Sequence, residues 1–267
     1  MQNFNNTVTR EAIPNRMLRS LQPDVYEQML PHLELVRFPL GRVVHEPGQV
    51  FDYVYFPSHG VLSMLTVLEN GDLVEIATVG NEGMADLSVF LGLKVSSSRL
   101  LCQVPGDTLR MKTDVFLDFV EKNDELRTVL GAFMVSMFIL VSQSAACNRL
   151  HPVEERCARW ILMTHDRVDS NTFPLTQDFL ASMLGARRPS VSVAAGILQK
   201  AGLVSYSRGR MTVLDRTGLE AAACECYAIV REQFDSMPGD EAALAGRRRL
   251  ASGLHATDVA PAKDQAG

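Results

Sequence analysis

The feature that most constrains the fold is a long apolar segment near the middle of the chain, residues 124–150. Within it, "VLGAFMVSMFILVSQSAAC" places apolar side chains at intervals of three and four, as on one face of an α-helix. Asn123 is a suitable N-cap, and Asp124 and Glu125 follow in the first turn, where acidic side chains favour the helix dipole. The pattern predicts a helix and hinge over residues 123–151.

This segment is apolar enough to raise the question of a membrane span. Polar residues interrupt it, however: Ser136, Ser142, Gln143 and Ser144. Its surroundings are those of a water-soluble protein, so we expect no contact with a membrane. An apolar stripe of this length would be a larger exposed patch than soluble monomers usually carry, so we expect a homodimer that covers it. The residues expected at the dimer interface are Leu126, Leu130, Phe133, Met137 and Val141.

The region before this helix, residues 18–122, contains short β-type runs over residues 35–112 that are separated by glycines. The runs "GVLSMLTV" and "DLVEIATV" alternate apolar and polar side chains and are joined through Asn70-Gly71. Asn-Gly is favoured in hairpins because both residues readily take the positive φ of a tight turn. Turn glycines recur at the spacing of a multi-stranded antiparallel roll. We therefore predict an α+β chain with an N-terminal antiparallel β-roll.

The region after the helix, residues 152–235, has the pattern of a winged helix-turn-helix. Pro152 ends the apolar period. Thr176 is a suitable N-cap for a short helix, "QDFLASML", and Gly185 allows a tight turn before a second helix over about 188–200. The run "LVSYSRGRMTVL" then reads as two short strands, which would form the wing. The remaining segment is small and polar in composition, and we predict it to be disordered over 236–267.

Charge is distributed unevenly along the chain. The formal net charge is −5, yet residues 175–213 carry five basic side chains against one acidic one, a local charge of +4. A basic face favours a polyanion partner, although charge alone fits an ordinary solvated surface equally well. A recognition helix enters the major groove by its N-terminal end, where arginine can bond guanine. The residues expected to contact DNA are Thr176, Gln177, Arg187, Arg188, Ser190, Ser192, Arg208 and Arg210.

The three regions together resemble the Crp/Fnr family of bacterial transcription regulators over about residues 18–235. The likeness is most specific in "LTQDFLASMLGARRPSVSVAAGILQKAGLV" and in the hinge "SAACNRLHPVEERCARWILM". It implies a cyclic-nucleotide-binding-like β-roll (a double-stranded β-helix), a dimerisation helix and a winged helix-turn-helix. The partners implied are double-stranded DNA, a second copy of the chain and RNA polymerase.

In this resemblance Arg188 matches the family's base-reading arginine. Pro189 stands where glutamate is usual, and Val193 stands in place of a second arginine. We therefore expect a preferred half-site that departs from the family's usual one. The N-terminus has no apolar segment behind a basic start, so we expect the chain to be cytoplasmic.

The sequence also bears on what the roll could bind. Members that bind cyclic nucleotide hold its phosphate with a Gly-Glu-Leu turn followed by Arg-Ser or Arg-Thr. The corresponding residues here are Gly83, Ala85, Asp86, Leu87, Ser97 and Arg99. Because Arg99 is out of phase with the family's arginine, we predict a degenerate effector pocket. We expect that cyclic AMP and cyclic GMP are not effectors, and that the roll takes another small effector or none.

The cysteines suggest no metal or cofactor. Their number is odd, five, and their spacing is neither a disulfide framework nor a paired zinc pattern. Cys224 and Cys226 could offer two thiolates, but no partner pair is evident, so we predict no metal site. The N-terminal cysteine cluster of the oxygen-sensing Crp/Fnr members is missing, which argues against an iron–sulfur cluster.

Two other functions fit the sequence less well. A metal-dependent enzyme of the cupin type would need a histidine cluster, whereas His45 and His59 stand alone, so we expect no enzyme. The alternative to a DNA-binding regulator is a cyclic-nucleotide-sensing protein that acts through a protein partner. Retention on heparin would distinguish the two.

Overall fold

Two antiparallel sheets form the N-terminal half of the computed structural model, which describes residues 13–237. The first sheet contains β1 (Glu34–Phe38), β3 (Tyr53–Pro57) and β7 (Gly106–Lys112), in the order β1-β7-β3. The second contains β2 (Val43–His45), β4 (Val61–Val67), β5 (Leu73–Val79) and β6 (Arg99–Val104), in the order β2-β6-β4-β5. Side chains of both sheets meet between them, Tyr55 and Leu100 among them. This is the predicted antiparallel roll.

The predicted hairpin is present between β4 and β5. Val67 lies opposite Leu73, and Leu68 N donates to the carbonyl oxygen of Asp72 at 2.9 Å. Gly71 has a φ of +88°, a value that favours glycine. The turn chemistry of the sequence thus sets the register of this pair, as expected.

Helices precede and follow the strands of the roll. The N-terminal ones are α1 (Arg16–Ser20), α2 (Pro23–Met29) and a 3₁₀ turn (Leu30–His32), and α3 (Thr113–Lys122) follows the last strand. Asn15 caps α1 by accepting from Leu18 N, and its amide donates to the carbonyl oxygens of Pro57 and Gly83 at 2.8 Å each. One buried amide therefore joins α1 to the roll.

The central helix, α4, spans Asp124–Leu150. The side chain of Asn123 accepts from Leu126 N at 2.8 Å, so the predicted cap is present. By length and composition, α4 is also a helix that could cross a membrane. One side of it is nevertheless packed in the core of the roll. Gly83 leaves room for the ring of Phe133, because a Cβ at Gly83 would lie only 2.1 Å from that ring.

The predicted dimer interface is wrong for four of its five residues. Leu126, Leu130, Phe133 and Met137 are buried in the core of their own chain, where they contact the roll and its helices. They have almost no exposed surface left to lose to a partner. A different face of α4 is open, and it carries Val135, Phe138 and Val141, which are 51%, 72% and 41% exposed.

The C-terminal region begins with α5 (Val153–His165) and contains the expected helix-turn-helix and wing. Its remaining elements are β8 (Thr172–Pro174), α6 (Gln177–Leu184), α7 (Arg188–Lys200), β9 (Val204–Ser207), β10 (Arg210–Val213), α8 (Arg216–Ala222) and α9 (Cys226–Asp235). The three strands form a sheet in the order β8-β10-β9. The tail predicted to be disordered, 236–267, lies outside the described residues from position 238 onward.

Helix α9 falls within the range predicted for the DNA-binding domain, but it packs elsewhere. Val230 and Phe234 lie in the same core as α4 and the roll, and the rings of Phe133 and Phe234 are 6.1 Å apart. The domain limits 18–122, 123–151 and 152–235 therefore remain a prediction. Helix α9 belongs to the third range by sequence but packs with the first two.

Buried polar contacts join the C-terminal region to the roll. The Arg167 guanidinium donates to the Glu82 carboxylate at 2.9 Å through Nε, and both side chains are almost fully buried. Burial alone would raise the pKa of Glu82, but Arg167 outweighs it and holds that pKa below the usual range. Trp160 Nε1 donates to Glu75 at 3.0 Å. Burial raises the pKa of Glu75 to about 7.

Candidate nucleic-acid interface

The helix-turn-helix consists of α6, a turn and α7, and its local sequence explains each boundary. Thr176 Oγ1 accepts from Phe179 N at 3.1 Å, so the predicted cap of α6 is present. Gly185, with a φ of +54°, ends α6, and its N–H bonds back to the carbonyl oxygens of Ala181 and Ser182. The left-handed conformation costs glycine little, which permits the tight turn between the helices.

Helix α7 begins at the pair of arginines. Arg187 is the N-cap position, Arg188 is the first helical residue, and Pro189 lies in the first turn, where its missing N–H has no helical partner to lose. Arg187, Arg188, Pro189 and Ser190 are all exposed. The opposite face of α7 is buried through Val191, Ala194, Ala195 and Leu198. The packing of α7 therefore leaves its N-terminal end free to meet a ligand.

One ion pair orients the predicted base-reading residue. Arg188 Nε lies 3.2 Å from Asp178 Oδ1, and both side chains are exposed. The two terminal nitrogen atoms of the guanidinium remain as a fork of donors beyond this contact. Ser192 is less open, because its Oγ donates to Gln177 Oε1 at 2.9 Å and also contacts the carbonyl oxygen of Arg188.

The wing is a two-stranded hairpin whose turn lies beside the start of α6. Arg208 and Gly209 have φ values of +49° and +72°, as in a tight hairpin turn. Leu175 N donates to the carbonyl oxygen of Gly209 at 2.8 Å, which holds the turn against the residue before Thr176. Arg208 and Arg210 are exposed. The wing therefore presents two cations at the edge where α6 begins.

Tyr206, on β9, is a member of this surface that the sequence did not single out. It is half-buried, and its N–H donates to Gln199 Oε1 at 3.0 Å. Burial raises the pKa of Tyr206, and a hydrogen bond from the backbone of Gln177 and the charge of Arg188 act against that rise. Its phenol thus lies close to both helices of the motif. The one feature of the sequence that could have indicated Tyr206 is its position in a predicted wing strand.

Comparison with known proteins agrees with this geometry. The sequence model of the Crp-like helix-turn-helix domain matches residues 155–222. The chain has the fold of a Crp/Fnr-type transcription regulator. FixK2 from Bradyrhizobium japonicum superposes with a TM-score of 0.60 at 14% identity, over 72% of this chain and 98% of that one.

Two solved regulators from Thermus thermophilus have a similar fold. TTHB099, of the CRP family, gives a TM-score of 0.56 at 18% identity, over 70% of this chain and 96% of its own. TTHA1359, of the CRP/FNR family, gives a TM-score of 0.53 at 20% identity, over 71% of this chain and 98% of its own. No curated protein matches the chain in sequence at a significant level. At such identities the structural likeness shows the fold alone, and it confirms the predicted fold class.

The Crp-like domain contains all of the residues expected to contact DNA. They lie on three elements: the start of α6, the start of α7 and the wing. The structure brings Thr176, Gln177 and Ser192 together through direct contacts and through the turn of the wing. Arg188 contacts Asp178 of α6, and Arg208 lies in the wing turn that bonds to Leu175. The expected residues therefore lie on neighbouring elements of the Crp-like domain.

The residues expected in the effector pocket of the Crp/Fnr-type roll are not brought together. Gly83 packs on Phe133, and Ala85 N donates to the carbonyl oxygen of Tyr55 at 2.8 Å. Leu87 begins a short 3₁₀ turn. Ser97 is exposed, and Arg99 Nε donates to Glu46 Oε2 at 2.8 Å. The Ala85 N–H and the Arg99 side chain thus have partners other than a ligand, and Ser97 faces solvent.

Asp86, another of the predicted pocket residues, faces an ionisable side chain inside the roll. It has a φ of +66° and is buried, with Oδ1 2.7 Å from His45 Nε2. Burial raises the pKa of Asp86, although His45 acts against this. His59 lies apart, 3.2 Å from Asp169.

The roll does contain a cavity, of about 470 Å³, that opens next to this pair. Side chains from both sheets line it, including Phe38, Val44, His45, Tyr53 and Tyr55. None of the six residues expected in the effector pocket is among its lining. His45 belongs to the lining, and Asp86 lies behind it, hydrogen-bonded to its imidazole.

Proposed function

We propose that the chain is a transcription regulator that binds a specific DNA sequence as a dimer. The observation that carries this proposal is the open N-terminal end of α7, where Arg187 and Arg188 are exposed, together with the two exposed wing arginines, Arg208 and Arg210. A helix start of this kind fits the major groove, and cations beside it suit the flanking phosphates.

Arg188 is the residue we assign to base recognition. Asp178 holds its Nε at 3.2 Å, which leaves the two terminal nitrogen atoms for guanine O6 and N7. Arg208 and Arg210 in the wing, with Thr176 and Gln177 at the start of α6, are assigned to phosphates. Pro189 and Val193 have no side-chain donor, so the base positions that a glutamate and an arginine would read in other members go unread here.

The exposed apolar stripe of α4 supports a dimer. Val135, Phe138 and Val141 follow one another at intervals of three, and all three are exposed although large and apolar. Pairing of this stripe with its copy would place two winged helices symmetrically. Two such helices read an inverted repeat with half-sites about one helical turn, roughly 34 Å, apart.

Selection of bound sequences from random duplex DNA tests the proposal. The wild-type chain is expected to select an inverted repeat, and Arg188→Ala to lose preference at one base pair in each half-site. Loss of a bidentate arginine–guanine pair costs about 1–3 kcal/mol. An unchanged selected sequence for Arg188→Ala would refute the assignment, as would recovery of the family's usual half-site by the wild type.

Arg210→Ala is the matched control, because it removes the same side chain from the wing. It is expected to weaken binding to all sequences alike and to lower the slope of log K against log salt by about one. A change in the selected sequence would assign Arg210 to bases instead. The alternative function, a regulator that acts only through a protein partner, predicts no salt-dependent retention of the wild type on heparin.

A further inference from the structure

Four potential metal ligands lie together at the junction between α4 and the C-terminal region. Cys147 and His151 are one turn apart at the end of α4, Cys224 lies in the link between α8 and α9, and Cys226 begins α9. Their ligand atoms are all within 4.8 Å of one another. The three thiols are buried, and none is in a disulfide. The sequence offered no partners for Cys224 and Cys226, and the structure supplies two.

The distances within this cluster suit one ion at its centre. Cys147 Sγ lies 3.5 Å from Cys224 Sγ, and Cys226 Sγ lies 3.4 Å from His151 Nδ1. A tetrahedral Zn²⁺, with bonds of about 2.3 Å to sulfur and about 2.0–2.1 Å to nitrogen, would separate two sulfurs by about 3.8 Å and a sulfur and a nitrogen by about 3.6 Å. Small side-chain movements are enough to reach this geometry.

The surrounding side chains orient the ligands. His151 presents Nδ1 to the cluster, while its Nε2 lies 3.2 Å from the Glu225 carboxylate. A carboxylate on the far nitrogen of a histidine fixes the tautomer that ligates a metal, and it is a recurrent feature of zinc sites. Gln143 Nε2 donates to Cys226 Sγ at 3.1 Å.

Two guanidinium groups lie beside the cluster. Arg156 donates to Asn148 Oδ1 and Arg159 donates to Ser144 Oγ, each at 2.8 Å, and both acceptors lie on α4 within three residues of Cys147. Three thiolates and one imidazole around a divalent ion carry a net charge of −1, which Arg159 and Arg156 oppose from nearby.

We propose that Cys147, His151, Cys224 and Cys226 form a Cys₃His site for a single Zn²⁺ ion. Closed sites with four protein ligands of this type are structural. Iron–sulfur clusters fit less well, because their irons and sulfides lie between the protein ligands and hold them farther apart. A Cys147–Cys224 disulfide would require the sulfurs to close from 3.5 Å to about 2.05 Å.

The ligands come from opposite sides of the helix-turn-helix in sequence. Cys147 and His151 precede Pro152, whereas Cys224 and Cys226 follow α8. A bound ion would therefore tie both ends of the Crp-like domain to the end of α4. This proposal does not depend on DNA binding.

The test uses the full chain, purified under reducing conditions, stripped with a chelator and titrated with Zn²⁺ in competition with a chromophoric chelator. Wild type is expected to bind one equivalent with a dissociation constant below micromolar. Co²⁺ in place of Zn²⁺ is expected to give the thiolate charge-transfer and tetrahedral d–d absorption of a sulfur-rich site. Cys226→Ser and His151→Gln are expected to lose at least about tenfold in affinity, and Cys157→Ser, a buried thiol outside the cluster, to lose none.

Glu225→Ala tests the site without changing a buried residue, so a loss of affinity in this variant is not explained by misfolding. Its side chain is 69% exposed and is not a ligand, and loss of such an outer carboxylate is expected to weaken Zn²⁺ binding about 10- to 100-fold. The proposal is overturned by a wild type that binds no Zn²⁺, or by unchanged affinity in the ligand variants. Isolation of a Cys147–Cys224 disulfide under reducing conditions would also overturn it.

Discussion

Asp86 occupies a conformation that few residues other than glycine adopt, and it does so inside the roll. Its φ of +66° and its burial direct the carboxylate to His45, at 2.7 Å. A left-handed non-glycine residue costs of order 1–3 kcal/mol, so the surrounding structure must hold it there. The Asp86 carboxylate lies behind His45 and outside the lining of the cavity, whose charged residues include Arg42, Asp52 and Arg110.

Calorimetry with cyclic AMP and cyclic GMP tests this interpretation of the roll. We expect no binding of either nucleotide in the micromolar range. The reason is the engagement of Arg99 with Glu46, which leaves this arginine unavailable to a phosphate. Arg99→Ala serves as the diagnostic variant. Micromolar binding by the wild type that disappears in Arg99→Ala would show that this arginine leaves Glu46 to hold a phosphate.

At the scale of a secondary-structure element, α4 has two apolar faces with different partners. Phe133 is fully buried against the roll and α9, whereas Phe138 is 72% exposed on the other side. We expect Phe138→Glu to weaken the dimer by about 2 kcal/mol or more, since aromatic residues at the centre of interfaces commonly carry that much. Sedimentation equilibrium or light scattering measures the shift to monomer.

Leu68→Glu is the matched control for this prediction, because Leu68 is an exposed leucine at the tip of the β4–β5 hairpin. It is expected to leave the oligomeric state unchanged. Phe133→Ala is expected instead to lower the free energy of unfolding by about 3–5 kcal/mol, as for other buried aromatic side chains. A Phe138→Glu chain that remains dimeric would exclude this stripe as the interface.

Helix α4 also shows which features a sequence can predict. Its N-cap, like that of α6 and the turn at Gly71, depends on residues within a few positions of one another, and these predictions were confirmed. The face that meets a partner was not predictable, because apolar side chains surround the helix and two stripes fit the same spacing. The cysteine cluster was missed since Cys147 and Cys224 are 77 positions apart.

For the whole molecule, the buried pair Arg167–Glu82 is a charged link between the C-terminal region and the roll. Glu82 also accepts from Gly80 N, and Arg167 Nη1 donates to the carbonyl oxygen of Met163. The aliphatic part of Arg167 lies against Gly80, where a Cβ would come within 2.5 Å of it. The pair is therefore fixed by hydrogen bonds and by shape.

A double-mutant cycle measures what this link contributes. Glu82→Gln or Arg167→Met alone leaves a buried charge without its partner, and each is expected to cost about 3–5 kcal/mol of unfolding free energy. The double variant is expected to cost less than the sum, because neither charge remains. Chemical denaturation gives the three values. Strictly additive costs would mean that the two side chains stabilise the fold independently.

The packing of α9 has a consequence for how the chain is made. Gln233 donates to Ser136 Oγ across 97 positions, and Val230 and Phe234 fill the core that the roll and α4 begin. A ribosome releases the roll and α4 first, so this core stays open until α9 has been translated. The Crp-like domain is translated after α4 and before α9, so it folds while the core of the roll and α4 is still incomplete. The last step of folding therefore waits for translation of α9, and nascent chains stalled before it would expose to chaperones the apolar side chains of α4 that α9 covers.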